Sequence, residues 1–338
     1  MKKFSLSIIA FILLFAMAGC GGGEGSGGKE FVNVATASTG GTYYPIGTGM
    51  ANLWSKKLGE EGIKASAQTS AGSVENIDLL RNEEAQFAIL QGLIGAQAWT
   101  GKGSFEGKKY EGLRSVSMLW PNVEHFVVQN DVVNTGTIED IEGLNFSTGP
   151  QASGTEKSTK VIMEGIGLSF DDINQDHLGY SDAASALKDG RIEGASTPAG
   201  VPVTAVTDLY ASGADVTVLD ITDEQLKSIN KQFNTWYRYE IPAETYTGQT
   251  EVINTIAQPN FLGTSSEMSK DLVYKLTKTL FENLEEEMYP VHNSAKNIKL
   301  ESALKGLPAP LHPGAYKYYK EEGLEIPENL IPPEEKEE

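Results

Sequence analysis

The 338-residue chain is predicted to be an α/β protein of two lobes. Three observations predict that class. Short apolar runs of strand length alternate with stretches at helical spacing. A β-loop-α theme in residues 31–91 is repeated in residues 145–197. The length exceeds the roughly 100–200 residues of one ordinary domain. A composition of 40% hydrophobic and 22% charged residues supports a packed core and excludes wholesale disorder.

Phe31 to Thr36 reads as the first strand. Ile46, Met50, Leu53, Trp54 and Leu58 follow at helical spacing, with Pro45 just inside the helix start. Ile63 to Gln68 is a second strand. Ser73 is placed as the N-cap of a helix carrying Val74, Ile77 and Leu80, with Glu75 in its first turn. Phe87 to Leu90 is a buried strand with Gln91 at its carboxyl end. The Gly- and Lys-rich stretch from Thr100 to Gly112 is a break. Ser115 to Leu119 and His125 to Gln129 are further strands. Thr137 and Asp140 have capping-box spacing over a one-turn helix. Asn145 to Thr148 is a strand, followed by a loop to Thr155 and a helix to about Met163. Ser181 is expected to cap a helix over Ala183 to Lys188. Ile192 to Thr197 is a strand ending at Pro198-Ala199-Gly200. Thr255 to Gly263 returns the chain to the first lobe. Met268, Leu272, Leu276, Leu280 and Leu284 predict one long amphipathic helix. The acidic end, Glu334 to Glu338, is expected to be a solvated tail.

Three loops stand at strand carboxyl ends and helix starts, where α/β folds bind ligands. They are Ser38 to Tyr44, Ser70 to Ser73 and Gly149 to Thr155. Glycine lets backbone approach a ligand, and exposed N–H groups at helix starts suit an anion. The sequence lacks the usual signatures of catalysis. Gly149 and Gly154 have P-loop spacing, but Thr155-Glu156 replaces its Lys-Ser/Thr. There is no G-x-S-x-G elbow and no H-E-x-x-H. The four histidines (125, 177, 292 and 312) are scattered. No enzyme activity, metal or cofactor is expected.

The formal net charge of −19 excludes nucleic acid as a partner. The lone cysteine, Cys20, follows a Lys2-Lys3 start, an apolar run and small residues. Residues 1–19 read as a secretion signal, Cys20 as a lipidation site of lipobox type, and 20–29 as a flexible Gly-rich tether. The protein is then expected outside the cytoplasm, anchored to the membrane by lipid.

Several segments together resemble a known family. Thr39-Gly-Gly-Thr-Tyr-Tyr-Pro-Ile-Gly47, Gly72-Ser-Val-Glu-Asn76, Glu84 to Gln91, Leu187 to Glu193 and Gly306 to Gly314 look like the TAXI solute-binding proteins of TRAP transporters. The resemblance covers about Phe31 to Gly323. It implies a two-lobed, type II periplasmic binding protein, a flytrap whose hinge is crossed twice. The lobes would be residues 30–121 with 255–330, and 122–254, followed by the tail 331–338. The hinge would lie near Trp120 to Glu124 and Tyr239 to Thr255. The implied ligand is a small carboxylate such as glutamate or 2-oxoglutarate, delivered by a monomer to a TRAP permease with fused small and large subunits. The alternative is the receptor of an ATP-driven importer for a small anionic or aromatic solute.

Only four arginines occur (Arg81, Arg114, Arg191 and Arg238), and none lies in the three loops. The expected carboxylate contacts are therefore helix N-termini with Thr39, Ser73, Ser153 and Thr155. Gly41, Thr42 and Gly154 bring backbone close, Gln91 reads a polar group and Tyr43 covers the ligand. Pro198, Ala199 and Gly200 resemble the family's small-residue wall. Trp120-Pro-Asn122 departs from the family's Tyr-Pro-Glu and loses a carboxylate there.

Overall fold

A computed structural model describes residues 29–336. The leader 1–19, Cys20 and all but the last residue of the tether lie outside the described residues, as do the last two residues of the tail. The first lobe opens β1 (Glu30–Ala35), α1 (Tyr43–Leu58), β2 (Ile63–Gln68), α2 (Ser73–Arg81), β3 (Phe87–Gln91), α3 (Gly92–Thr100) and β4 (Leu113–Val123). Next come β5 (Phe126–Gln129), β6 (Asn145–Ser147), α4 (Gly154–Gly165), β7 (Asn174–Asp176), α5 (Tyr180–Lys188), β8 (Gly194–Ser196), α6 (Thr204–Ala211), β9 (Val216–Val218) and α7 (Asp223–Ile229). The chain closes with β10 (Tyr237–Ile241), β11 (Ile253–Ser265), α8 (Lys270–Glu282) and α9 (Pro313–Glu321).

Two sheets result, as a two-lobed α/β chain requires. One has the order β10-β11-β3-β1-β2 with β4 also on β11; the other is β7-β6-β8-β5-β9. β1 runs parallel to both β2 and β3, while β11 is antiparallel to β3, β4 and β10. β3 is buried along its whole length, which is why it reads as an unbroken apolar run. The long pair β4–β11 leads out of the first sheet, and β5 starts in the second sheet just after Glu124 and His125. β10 pairs within the first sheet.

α1 buries Ile46, Met50, Leu53 and Trp54, and the Trp54 indole donates to the Leu276 carbonyl at 3.0 Å. That bond ties α1 to α8, whose Leu272, Leu276 and Leu280 are buried. α8 ends at Glu282, before Leu284, because the chain then widens into a π-turn over Leu284–Met288.

Four readings of the sequence are corrected. Ser73 is the first helical residue of α2, not its cap; Gly72 holds the cap position at φ 125°, open only to glycine. Ser181 likewise lies inside α5, whose cap is Gly179. Thr137 makes no capping bond, because the Asp140 carboxylate accepts the N–H groups of Asn134, Thr135 and Gly136 instead. The tail is docked up to its last turn: Glu334 pairs with Arg114, and Glu335 with Lys270. Arg114 explains the docking, since its side chain is only 6% exposed and needs a carboxylate. No helix among the described residues is long and apolar enough to cross a membrane.

Candidate ligand-binding site

The carboxyl ends of β1 and β3 face α4 and α5 across a small cavity. Its volume is about 30 Å³, room for roughly two waters. All three predicted loops reach it. Gly41, Thr42, Tyr43, Ser73, Gln91, Gly154, Thr155, Pro198 and Ala199 line it. Thr39, Ser153 and Gly200 do not. Thr39 is exposed, Ser153 caps α4 by accepting the Glu156 N–H at 3.0 Å, and Gly200 bonds Thr42. Sequence reasoning missed Tyr180, which lines the cavity from the start of α5. Its only signal was its place one residue before the cap expected for that helix.

Among the described residues, no side chain of Asp, Glu, Lys, Arg or His lines the cavity. Each arginine is paired with a carboxylate elsewhere: Arg81 with Asp78, Arg114 with Glu334, Arg191 with Asp189 and Arg238 with Asp223. Positive potential at the cavity comes from helix starts. The N–H groups of Ser73 and Val74 on α2, and of Gly154 and Thr155 on α4, find no acceptor among the described residues. The two starts are built alike. Glu75 reaches back to accept the Ala71 N–H at 2.6 Å, and Glu156 accepts the Ala152 N–H at 3.0 Å. Each glutamate holds its loop and leaves the first helical N–H groups free.

The hydroxyls are tightly engaged. Thr155 Oγ1 lies 2.8 Å from the Tyr180 hydroxyl, which donates to the Pro198 carbonyl at 2.8 Å. Tyr43 is held in the cavity wall. Its hydroxyl donates to Asn260 Oδ1 at 2.6 Å and its ring meets Trp120 edge-on, so it is fixed in the wall. Ser73 Oγ accepts the Gln91 N–H at 3.0 Å. Gln91 Oε1 is buried with no hydrogen-bond partner.

The loops of the two sheets touch, so the cavity is closed. Thr42 Oγ1 accepts the Gly200 N–H at 3.0 Å, and the Ala205 N–H donates to the Gly40 carbonyl at 3.2 Å. A Cβ on Gly40 would lie 2.6 Å from Ser181 Oγ and 2.8 Å from its backbone nitrogen. Glycine at 40 is what permits this approach.

Where the chain crosses between sheets, Glu124 and His125 are fully buried. Glu124 Oε1 accepts the Trp236 indole N–H at 3.0 Å and the Gln258 amide at 3.4 Å, while Oε2 has no partner. Burial pushes its pKa up to about 7, with those two bonds pulling the other way. Burial also lowers His125 to about 4; its Nε2 lies 2.8 Å from the Tyr246 hydroxyl. No group of three or more His, Cys, Asp or Glu among the described residues could hold a metal.

Residues 34–323 match the NMT1-like family. The chain belongs to the NMT1-like family. Solved structures are similar in fold. A protein of Bordetella bronchiseptica RB50 shares 15% identity over 90% of this chain and 85% of its own, at a TM-score of 0.51. The periplasmic aliphatic sulphonate binding protein of Escherichia coli shares 13% over 86% and 83%, at 0.44. A periplasmic sulfonate-binding protein of Methylobacillus flagellatus KT, assigned to a sulfonate ABC transporter, shares 12% over 85% and 80%, at 0.42.

This NMT1-like chain thus has the type II periplasmic binding-protein fold. The TAXI resemblance, and the TRAP permease it implied, are corrected by the NMT1-like match. The physical reason lies in where three of its five segments sit. Thr39–Gly47, Gly72–Asn76 and Glu84–Gln91 are strand ends and helix starts around the cavity, so their glycines and hydroxyls follow from the geometry of an α/β cleft and do not single out one family.

Proposed function

We propose that this NMT1-like protein captures a small anion, a carboxylate first of all, and hands it to the permease of an ATP-driven importer. One observation carries the ligand reading: unbonded N–H groups at two helix starts face a closed cavity without charged side chains. In this reading the lobe of the first sheet, β10 included, closes against the lobe of the second about the crossings near 120–124 and 239–255. Thr155, Ser73, Gly154 and Gln91 touch the ligand, and residues 1–19 with Cys20 supply export and a lipid anchor.

A thermal-shift screen of the purified protein against small carboxylates, sulfonates and amino acids tests it. A ligand at 100 times Kd adds about 2.7 kcal/mol of stability. No shift with any anion would overturn the reading. In vesicles carrying the permease, uptake should require ATP and survive collapse of ion gradients.

A further inference from the structure

We propose that the cavity selects solutes that bring their own hydrogen-bond donor, an amino or hydroxyl group beside the anionic group. The inference rests on the anion-capture reading and names the solute class within it. It comes from following the hydroxyl protons of Tyr180, Thr155 and Thr42.

The Pro198 carbonyl can only accept, so the Tyr180 hydroxyl commits its single proton to it at 2.8 Å. The phenol oxygen is then an acceptor, and its partner at 2.8 Å is Thr155 Oγ1. Thr155 must therefore donate to Tyr180. What it shows to the cavity it lines is a lone pair. Gln91 adds a second acceptor. It is 3% exposed, lines the same cavity, and its Oε1 stands unpartnered where a Cβ on Gly154 would lie 2.6 Å away. Thr42 brings no free proton either, since it donates to the Gly200 carbonyl and accepts the Gly200 N–H.

The donors left for an anion are backbone N–H groups of α2 and α4, with the Ser38 hydroxyl and the Gln91 amide nitrogen, which also line the cavity and make no hydrogen bond among the described residues. The acceptors left over face a solute atom that must carry hydrogen. A keto oxygen or a third sulfonate oxygen would set lone pair against lone pair, leaving buried acceptors unmatched. An α-amino or α-hydroxy acid satisfies both halves. Tyr180 is a positioning residue here: it orients the Thr155 proton away from the solute.

The test measures Kd by calorimetry for matched pairs: L-lactate and pyruvate, L-malate and oxaloacetate, L-glutamate and 2-oxoglutarate. In at least one pair the donor-bearing member should bind on the order of tenfold tighter or more. Tyr180→Phe frees the Thr155 proton to turn inward, so it should narrow that ratio mainly by tightening the keto member. Thr155→Val should narrow it by weakening the donor-bearing member, and keeps the test sharp if the tyrosine variant folds poorly. Equal binding within every pair, or tighter keto members, overturns the inference while leaving anion capture standing. Binding of sulfonates alone does the same. If no anion of any kind binds, the capture reading itself fails.

Discussion

Gly154 is the residue on which the cavity turns. An added Cβ would meet Gln91 Oε1 at 2.6 Å and Ser73 Cβ at 3.0 Å, from the opposite side of the cleft. Gly154→Ala should therefore hinder closure while leaving α4 intact, since alanine is a good helix former. We expect affinity to fall tenfold or more with the melting temperature of the free protein little changed; an unchanged Kd would show that closure tolerates the methyl. Glu124 makes a prediction about pH. Its folded pKa of about 7 is raised above the ordinary carboxylate value. Its contribution to stability is thus present in acid and lost as pH rises through 7. Glu124→Gln mimics the protonated acid. The variant should match the parent below about pH 4, where the unfolded carboxyl is protonated too, and exceed it above pH 8, by on the order of 2–3 kcal/mol. Equal melting curves at pH 8.5 would refute this. His125 works in the opposite direction. Held at about 4, it stabilises above its ordinary range and loses that contribution as pH falls through 4.

Helices and strands were legible in the sequence to the extent that their signals are local. The 3.6-residue spacing of Ile46, Met50, Leu53 and Trp54 placed α1, and the apolar run Phe87 to Leu90 placed β3. The cap residues were less legible, because a serine near a helix start can serve a tertiary partner instead. Ser73 holds the Gln91 backbone, a residue 18 positions away. Of the site, the loops were readable from glycine and hydroxyl content. Tyr180 was not, because its role depends on Pro198 and Thr155 folding around it. The C-terminal segment makes the same point. Its acidic composition suggests solvent, yet Arg114 donates through Nε and Nη2 to Glu334 and through Nη1 to the carbonyls of Glu111 and Leu113. Glu334→Ala should leave a buried guanidinium underpaired and cost about 1–2 kcal/mol in a denaturant melt. A loss below the error of the melt would mean the tail contributes nothing to the fold.

Across the whole molecule, two sheets meet through thin contacts: Thr42 with Gly200, Gly40 with Ala205, and the Ser294 hydroxyl donating to the Val201 carbonyl at 3.2 Å. Few bonds must break for the lobes to part, as the proposed capture and release of a solute would require. Gly40→Ala forces a Cβ against Ser181 and should hold the lobes apart. Small-angle scattering should then show no compaction when a solute that shifts the parent's melting curve is added; normal compaction would clear Gly40 of that role.

The arginines are all neutralised away from a cavity with no charge of its own, on a chain of net charge −19. An anion approaching from a distance is repelled and feels the helix starts only on arrival. Added salt should therefore speed capture by screening the body while leaving the dissociation rate nearly unchanged. For a zwitterion of zero net charge the same experiment gives a flat line. Stopped-flow association across ionic strength would thus weigh the charge of the natural cargo before its chemistry is known.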